Sequence, residues 1–200
     1  MAQRQGRQAN HVYYFKCTRR VLSKIKMETG TAPDAGDAPI LGNWYVNIFP
    51  IDGRKATLYV SESTLLSFFL LHGEKPIDPD RIVGSFLGGL GQLLKFADFT
   101  PNEIEEVLKY YVDGDACFVR VTDLSFMGSV NAIMQTYTYN IDDNGGLDQT
   151  DLTDLILAVN SQIPQKRLGG DTALEVTRNL LKVAKHPLRL VYSASSKRPD

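Results

Sequence analysis

LGNWYVNIFPIDGRKATLYVSESTLLSFFLL, residues 41–71, holds the densest apolar signal in the chain and decides how the rest is arranged. From Trp44 the side chains alternate: Trp44, Val46 and Ile48 fall on one face, Tyr45, Asn47 and Phe49 on the other. A repeat of two is strand spacing rather than helix spacing. Asp52-Gly53 offers the positive φ of a tight hairpin turn, so the chain is expected to reverse there. Residues 55–60 alternate again, with Ala56, Leu58 and Val60 opposed to Thr57 and Tyr59. After a polar break at Ser61-Glu62-Ser63, residues 65–71 are apolar on both faces, as in a strand buried between neighbours. The expectation is a three-stranded antiparallel meander. Pro50 lacks a ladder donor and belongs at the strand's end or at a bulge.

Outward from this stretch, residues 1–10 are rich in Gln and Arg without periodicity and read as a disordered basic tail. Residues 12–17 read as a short strand. Thr18 is placed to cap a helix through Met27, with Val21, Leu22 and Ile25 inward and Arg20 and Lys24 outward. Residues 29–41 hold Gly, Pro, Ala and Asp and read as a loop. Downstream, Asp78-Pro79 pairs a capping side chain with a proline at the first helical position, and Val83, Phe86, Leu87, Leu90, Leu94 and Ala97 recur at helical spacing. Thr100-Pro101-Asn102-Glu103 is a capping box that opens a second helix, stopped at Asp113-Gly114. Residues 116–121 alternate as another strand. A helix beginning near Ser125 carries Val130, Ile133, Met134, Tyr137 and Ile141, and a further one carries Leu152, Leu155, Ile156 and Val159, capped by Asp148 or Thr150. Thr172 and Glu175 form a second capping box for a helix to about Ala184. Residues 188–192 read as a terminal strand and 193–200 as a mobile tail.

With 200 residues, 43% of them hydrophobic, the chain suits one globular domain over residues 11–192. The fold class expected is α+β: an antiparallel sheet built on the meander and covered by about five to six helices. The net charge of −1 provides no global basic field. Residues 1–27 nevertheless carry seven basic residues and no acid, leaving 15 of the 22 basic residues against all 23 acidic ones. Cys17 and Cys117 lie a hundred residues apart without a CxxC motif, which suits reduced thiols. The N-terminus lacks a signal-peptide core, and the uncharged, apolar-rich run at residues 82–94 is too short to span a bilayer. A cytoplasmic protein with no membrane association follows as an expectation.

Several patterns are candidates for chemistry. Asn140, Asp142, Asn144, Asp148 and Asp151 occupy positions 1, 3, 5, 9 and 12 of a calcium-loop spacing, with Gly145 at position 6 and Leu147 at position 8. Position 1 is Asn and position 12 is Asp in place of the bidentate Glu, so a plain helix-connecting turn explains the same residues. Gly84, Gly88, Gly89 and Gly91 match no phosphate-binding loop and point to close helix packing on the sheet. His11, His72 and His186 have no metal-ligand spacing and suit surface or capping roles. No serine or cysteine sits in a nucleophile signature, so no catalytic residue and no cofactor is assigned. Arg19, Arg20, Lys24 and Lys26, with Tyr13, Tyr14 and Phe15 nearby, form a candidate phosphate-backbone surface.

Trp44, Asn47, Arg54 and Lys55, followed by Gly128, Ser129 and Asn131 at a helix start, make a W-x-x-N, R-K and G-S-x-N set. The chain here resembles an uncharacterised bacterial domain-of-unknown-function family over about residues 11–184. The resemblance implies that these seven are its characteristic residues. The family pattern commonly places Asp after the last Asn; here Ala132 stands there. No known activity is implied. The resulting expectation is a non-enzymatic binding or regulatory module of bacteria or their mobile elements, acting through protein partners at Trp44, Asn47, Arg54, Lys55, Ser129 and Asn131. Nucleic-acid binding through the basic helix is one alternative; an enzyme with a polar pocket of Asn47, Lys55, Ser129 and Asn131 is the other.

Overall fold

The computed structural model describes residues 11–27, 39–73 and 76–185. In chain order they form β1 (Val12–Cys17), α1 (Arg19–Ile25), β2 (Trp44–Ile51), β3 (Arg54–Ser61), β4 (Ser67–Leu71), α2 (Pro79–Phe96), α3 (Pro101–Asp113), β5 (Asp115–Arg120), α4 (Leu124–Asp143), α5 (Leu152–Gln162) and α6 (Ala173–Lys185). Short 3-10 turns occupy Leu147–Gln149 and Lys166–Leu168. The two expected tails, most of the loop at 29–41, His186 and the terminal strand at 188–192 lie outside the described residues.

The strands form one sheet in the order β4-β3-β2-β1-β5. β2 pairs antiparallel with β3, and β3 antiparallel with β4. β1 runs parallel to both β2 and β5, so the α+β fold has a mixed sheet in place of the purely antiparallel one expected. Side-chain alternation reports which face a residue takes and is blind to strand direction. The direction comes from the connection: α1 lies between β1 and β2, and a helical crossover brings a chain back parallel.

Helices cover both faces. On one, Phe15, Trp44, Tyr59, Phe68 and Tyr111 surround Phe86 of α2, with ring centroids 4.9–6.4 Å from it. This cluster also takes in Val21, Leu22 and Ile25 of α1. The indole N–H of Trp44 donates to Tyr111 Oη at 2.9 Å, and that hydroxyl donates to the Gly42 carbonyl at 3.1 Å. On the other face, Tyr45, Phe49, Leu58, Val60 and Phe69 pack against Phe126, Val130, Ile133 and Tyr137 of α4 and Leu155 and Val159 of α5.

Two exposed stretches of strand edge, on β4 and at the end of β2, are accommodated locally. Ser67 of β4 turns its backbone outward. There Asn160 accepts from its N–H at 2.8 Å and donates to its carbonyl at 2.7 Å, standing in for a neighbouring strand. Pro50 lies next to last in β2, opposite Lys55. Val46 gives its carbonyl to Thr18 N at 3.1 Å, and Ile48 and Pro50, spaced by two, face the same way. β1 has ended by that point, so the missing proline N–H breaks no ladder bond.

Helix ends follow the local chemistry with two corrections. Asp78 caps α2, Thr100 and Glu103 form the reciprocal box on α3, and Thr172 and Glu175 do the same before α6. Thr18 precedes α1 but makes no side-chain cap; its hydroxyl donates to Asn47 Oδ1 at 3.0 Å. Asp151, not Asp148 or Thr150, caps α5 through the N–H groups of Thr153 and Asp154. The α2 glycines divide. A Cβ on Gly89 would overlap the Phe68 ring, and one on Gly91 would meet Leu108 Cδ1 at 3.2 Å, whereas Gly84 and Gly88 face open space.

Adjacent substitutions on α2 are therefore expected to act oppositely. Gly88→Ala gains helix propensity and should stabilise by up to about 1 kcal/mol. Gly89→Ala forces Phe68 to move and should destabilise by roughly 1–3 kcal/mol in urea unfolding. Equal effects at both positions would show that α2 does not seat on Phe68.

Candidate functional site

Three recesses carry the polar residues of interest. The first lies over the part of β2 that extends past the end of β1. Arg20, Asn47, Ile48, Phe49, Pro50, Met134, Gln135, Thr138, Tyr139 and Asp142 line a groove of about 560 Å³ between α1 and α4. Asn47 is fixed on its floor: it accepts from Thr18 Oγ1, and its amide faces Met134 Sδ at 3.8 Å. Arg20 Nη1 donates to the Ile48 carbonyl at 3.3 Å. Tyr139 stands 68% exposed on the rim.

The second recess, about 350 Å³, opens between the start of α4 and the end of α5, and Gly128, Ser129, Thr136, Gln165, Lys166 and Arg167 border it. Arg167 lies over the Phe126 ring at 5.0 Å and pairs with Asp123 at 3.6 Å. Phe126 stacks on Tyr45 at 4.0 Å, and Lys16 lies beyond that ring at 5.6 Å while paired with Glu62. Two cations thus bracket a stacked aromatic pair. The buried Tyr45 hydroxyl has no hydrogen-bond partner among the described residues, and burial, followed by Glu62 and Asp123, raises its pKa against the opposing pull of Arg167.

The third recess, about 140 Å³, lies on the Phe86 face between the ends of β3 and β4 and the first turns of α2. Thr57 Oγ1 and His72 Nε2 are hydrogen-bonded there at 2.7 Å. His72 N donates to the Lys55 carbonyl at 2.8 Å, which sets the histidine beside Lys55, and Arg81 and Ser85 of α2 complete the wall.

The expected site residues are dispersed among these places. Trp44 is fully buried and structural. Asn47 lines the first recess and Ser129 the second, while Lys55 and the exposed Asn131 line neither. The four-residue polar pocket expected of an enzyme is therefore not assembled in either groove. Arg54 is exposed at the start of β3. Arg19, Arg20 and Lys24 are exposed on α1 and Lys26 at its C-terminal cap, but Tyr13 and Phe15, expected as aromatic surface beside them, are fully buried.

In the 140–151 segment, Asn140 and Asp142 belong to the last turn of α4, and the Asn140 amide bonds back to the Thr136 carbonyl at 2.8 Å. Asn144 caps the end of that helix, and Asp151 is engaged at the start of α5. Asp52, from the hairpin turn, accepts from Leu147 N at 2.8 Å and pins this turn to the sheet. Among the described residues, no three His, Cys, Asp or Glu side chains converge as metal ligands.

His11 fills its expected capping role, its Nε2 lying 2.6 Å from the Tyr110 carbonyl in the last turn of α3. His72 does not lie free on the surface; it is half-buried, and nothing short of the β3–β4 register could have paired it with Thr57. Both cysteines are free thiols, and burial pushes Cys17 up to about 12. No helix among the described residues is long and apolar enough to cross a membrane.

A mixed-sheet α+β domain with solvent-facing polar recesses is the class that these features define. The family model described as Domain of unknown function (DUF6933) matches residues 14–173, and the chain belongs to that family. A search of the curated proteins returns no significant match.

The His72 environment leads to a pH prediction. Burial, then Lys55, then Lys24 lower its pKa below the ordinary 6.5. Unfolded chain binds this proton at higher pH than folded chain does, so stability is complete above 6.5 and falls as the pH drops through the window below it. His72→Gln is expected to flatten that limb, measured as urea midpoints from about pH 5 to 7.5. An unchanged acid slope in the variant would remove His72 as its source.

Proposed function

We propose that the protein is a non-enzymatic binding module that receives a segment of a partner protein in the groove at Asn47, as a regulatory component of bacteria or their mobile elements. The observation that supports this reading is the exposed stretch of β2. Past the end of β1, Ile48 presents its backbone to the groove between an apolar wall of Phe49, Pro50 and Met134 and a rim carrying Tyr139. Extended peptides are recognised at such strand edges through backbone bonds, with specificity from alternate side chains. Arg20 and Pro50 limit edge pairing to a short run, so recognition rests mainly on side chains: Arg20 and Asp142 for charge, Asn47, Gln135 and Thr138 for hydrogen bonds. An exposed tyrosine at the rim is a frequent anchor of binding energy.

In affinity purification from the native host, a defined partner is expected to co-purify with the wild-type chain. Tyr139→Asp should weaken that partner's affinity by about tenfold or more, whereas Val183→Asp, at an exposed position on α6, should leave it unchanged. A clean monomer with no partner, or equal loss in both variants, would count heavily against the reading.

A second reading, nucleic-acid binding, has one observation in its favour: among the described residues, Arg19 and Lys24 on α1 and Lys26 at its C-terminal cap are exposed and form no ion pair. It predicts binding to single- or double-stranded DNA that weakens steeply between about 50 and 200 mM salt, with a smaller slope in Arg19→Gln/Lys26→Gln. Absence of binding at the lower salt would dispose of it.

A further inference from the structure

We infer that the recess lined by Thr57, His72, Arg81 and Ser85, with Lys55 beside His72, is a binding site for a small oxyanion of the phosphate class. It lies on the Phe86 face of the sheet, whereas the Asn47 groove lies on the α4 face, so the two sites stand or fall separately.

The geometry favours an anion for four reasons. Every hydrogen-bonding side chain bordering the recess is able to donate: the Thr57 hydroxyl, the His72 imidazole, the Ser85 hydroxyl and the Arg81 guanidinium. Among the described residues no carboxylate lines it, and the closest acids on α2 are drawn elsewhere, Asp78 capping the helix through Arg81 N at 2.8 Å and Asp80 lying exposed in the first turn. The inner wall is preformed. Thr57 is only 6% exposed and held to His72, while Tyr59 Oη reaches across to the Ile82 carbonyl at 3.1 Å and seats α2 against the strands. Finally, the size suits: a cavity of about 140 Å³ has room for several waters, hence for one tetrahedral group whose substituent leaves through the mouth at Gly73 and Arg81.

Among the described residues, the charge around His72 has one sign. Lys55 on β3, Lys24 on α1 and Arg81 on α2 are the charged groups facing His72 from the elements packed around it, and both lysines disfavour its protonation. An anion with two negative charges would offset that field, and His72 would take up a proton as the anion binds. The site thus couples a charge-neutralising ligand to the protonation of a histidine. Arg81 Nη1 donates to the Pro76 carbonyl at 3.0 Å, which holds the guanidinium at the mouth and leaves its remaining N–H groups for a ligand.

The test is an NMR titration of the full chain, following the His72 ring signals, with sulfate, inorganic phosphate, glycerol phosphate and acetate as probes. Sulfate does not titrate near neutrality and separates the protein's pH response from the ligand's own. Saturable shifts with sulfate and phosphate, weaker ones with acetate, and a raised His72 pKa in the bound state are expected. Tighter binding of glycerol phosphate than of inorganic phosphate would assign the site to a phosphate ester, and the reverse order to free phosphate. Lys55→Gln and Arg81→Gln should each weaken binding about tenfold. Lys182→Gln, exposed on α6, should not, and amide spectra confirm that each variant is folded. Shifts that do not saturate, or that fall equally in Lys55→Gln and Lys182→Gln, would overturn the inference.

Discussion

The hydrogen bond from the Trp44 indole to Tyr111, carried on to the Gly42 carbonyl, is the contact on which the rest of the structure leans. Trp44 is the chain's single tryptophan and stands at the start of the central strand. It lies inside the ring of aromatic side chains around Phe86, where a buried N–H without a partner would cost about 1–3 kcal/mol. Tyr111 satisfies that donor from α3, and its own hydroxyl closes onto the turn before β2. One short chain of polar atoms thereby ties α3, the turn before β2 and the central strand into one body, with the Phe86 ring of α2 packed against it.

That arrangement leaves a consequence on the opposite side. β1 pairs with β2 only from Trp44 to Val46, because the chain then turns into α1. β2 continues for five more residues with β3 on one side and, among the described residues, no strand on the other. The exposed edge is partly closed by Arg20 and Pro50, and the gap between α1 and α4 remains as the groove at Asn47. At the far edge, Asn160 does for Ser67 what a strand would have done. The recesses of this domain lie where strands of unequal length meet helices that cannot fill the difference.

Much of the layout was legible in the sequence. Alternation in residues 44–60 placed Trp44 and Asn47 on opposite faces, and the structure keeps them there, one in the Phe86 core and the other on the floor of a groove. The capping boxes at Thr100 and Thr172 announced their helices, because their bonds span three residues and need no tertiary partner. Thr18 shows the limit of such local logic: its hydroxyl had a helix to cap and bonded Asn47 across space instead. The calcium-like spacing at residues 140–151 meets a related limit, since α4 continues through Asp143 and takes the first two candidate positions into helix.

What the sequence determined by itself was therefore everything governed by neighbours within about four residues, namely face, cap, turn and hairpin reversal, because those interactions close locally. Tertiary structure alone decided the direction of β1, the pairing of His72 with Thr57, and the stacking of Lys16, Tyr45, Phe126 and Arg167. Each depends on register and crossover between segments from fifteen to more than a hundred residues apart. A period of two or 3.6 carries no information about which partner strand, in which direction, will lie alongside.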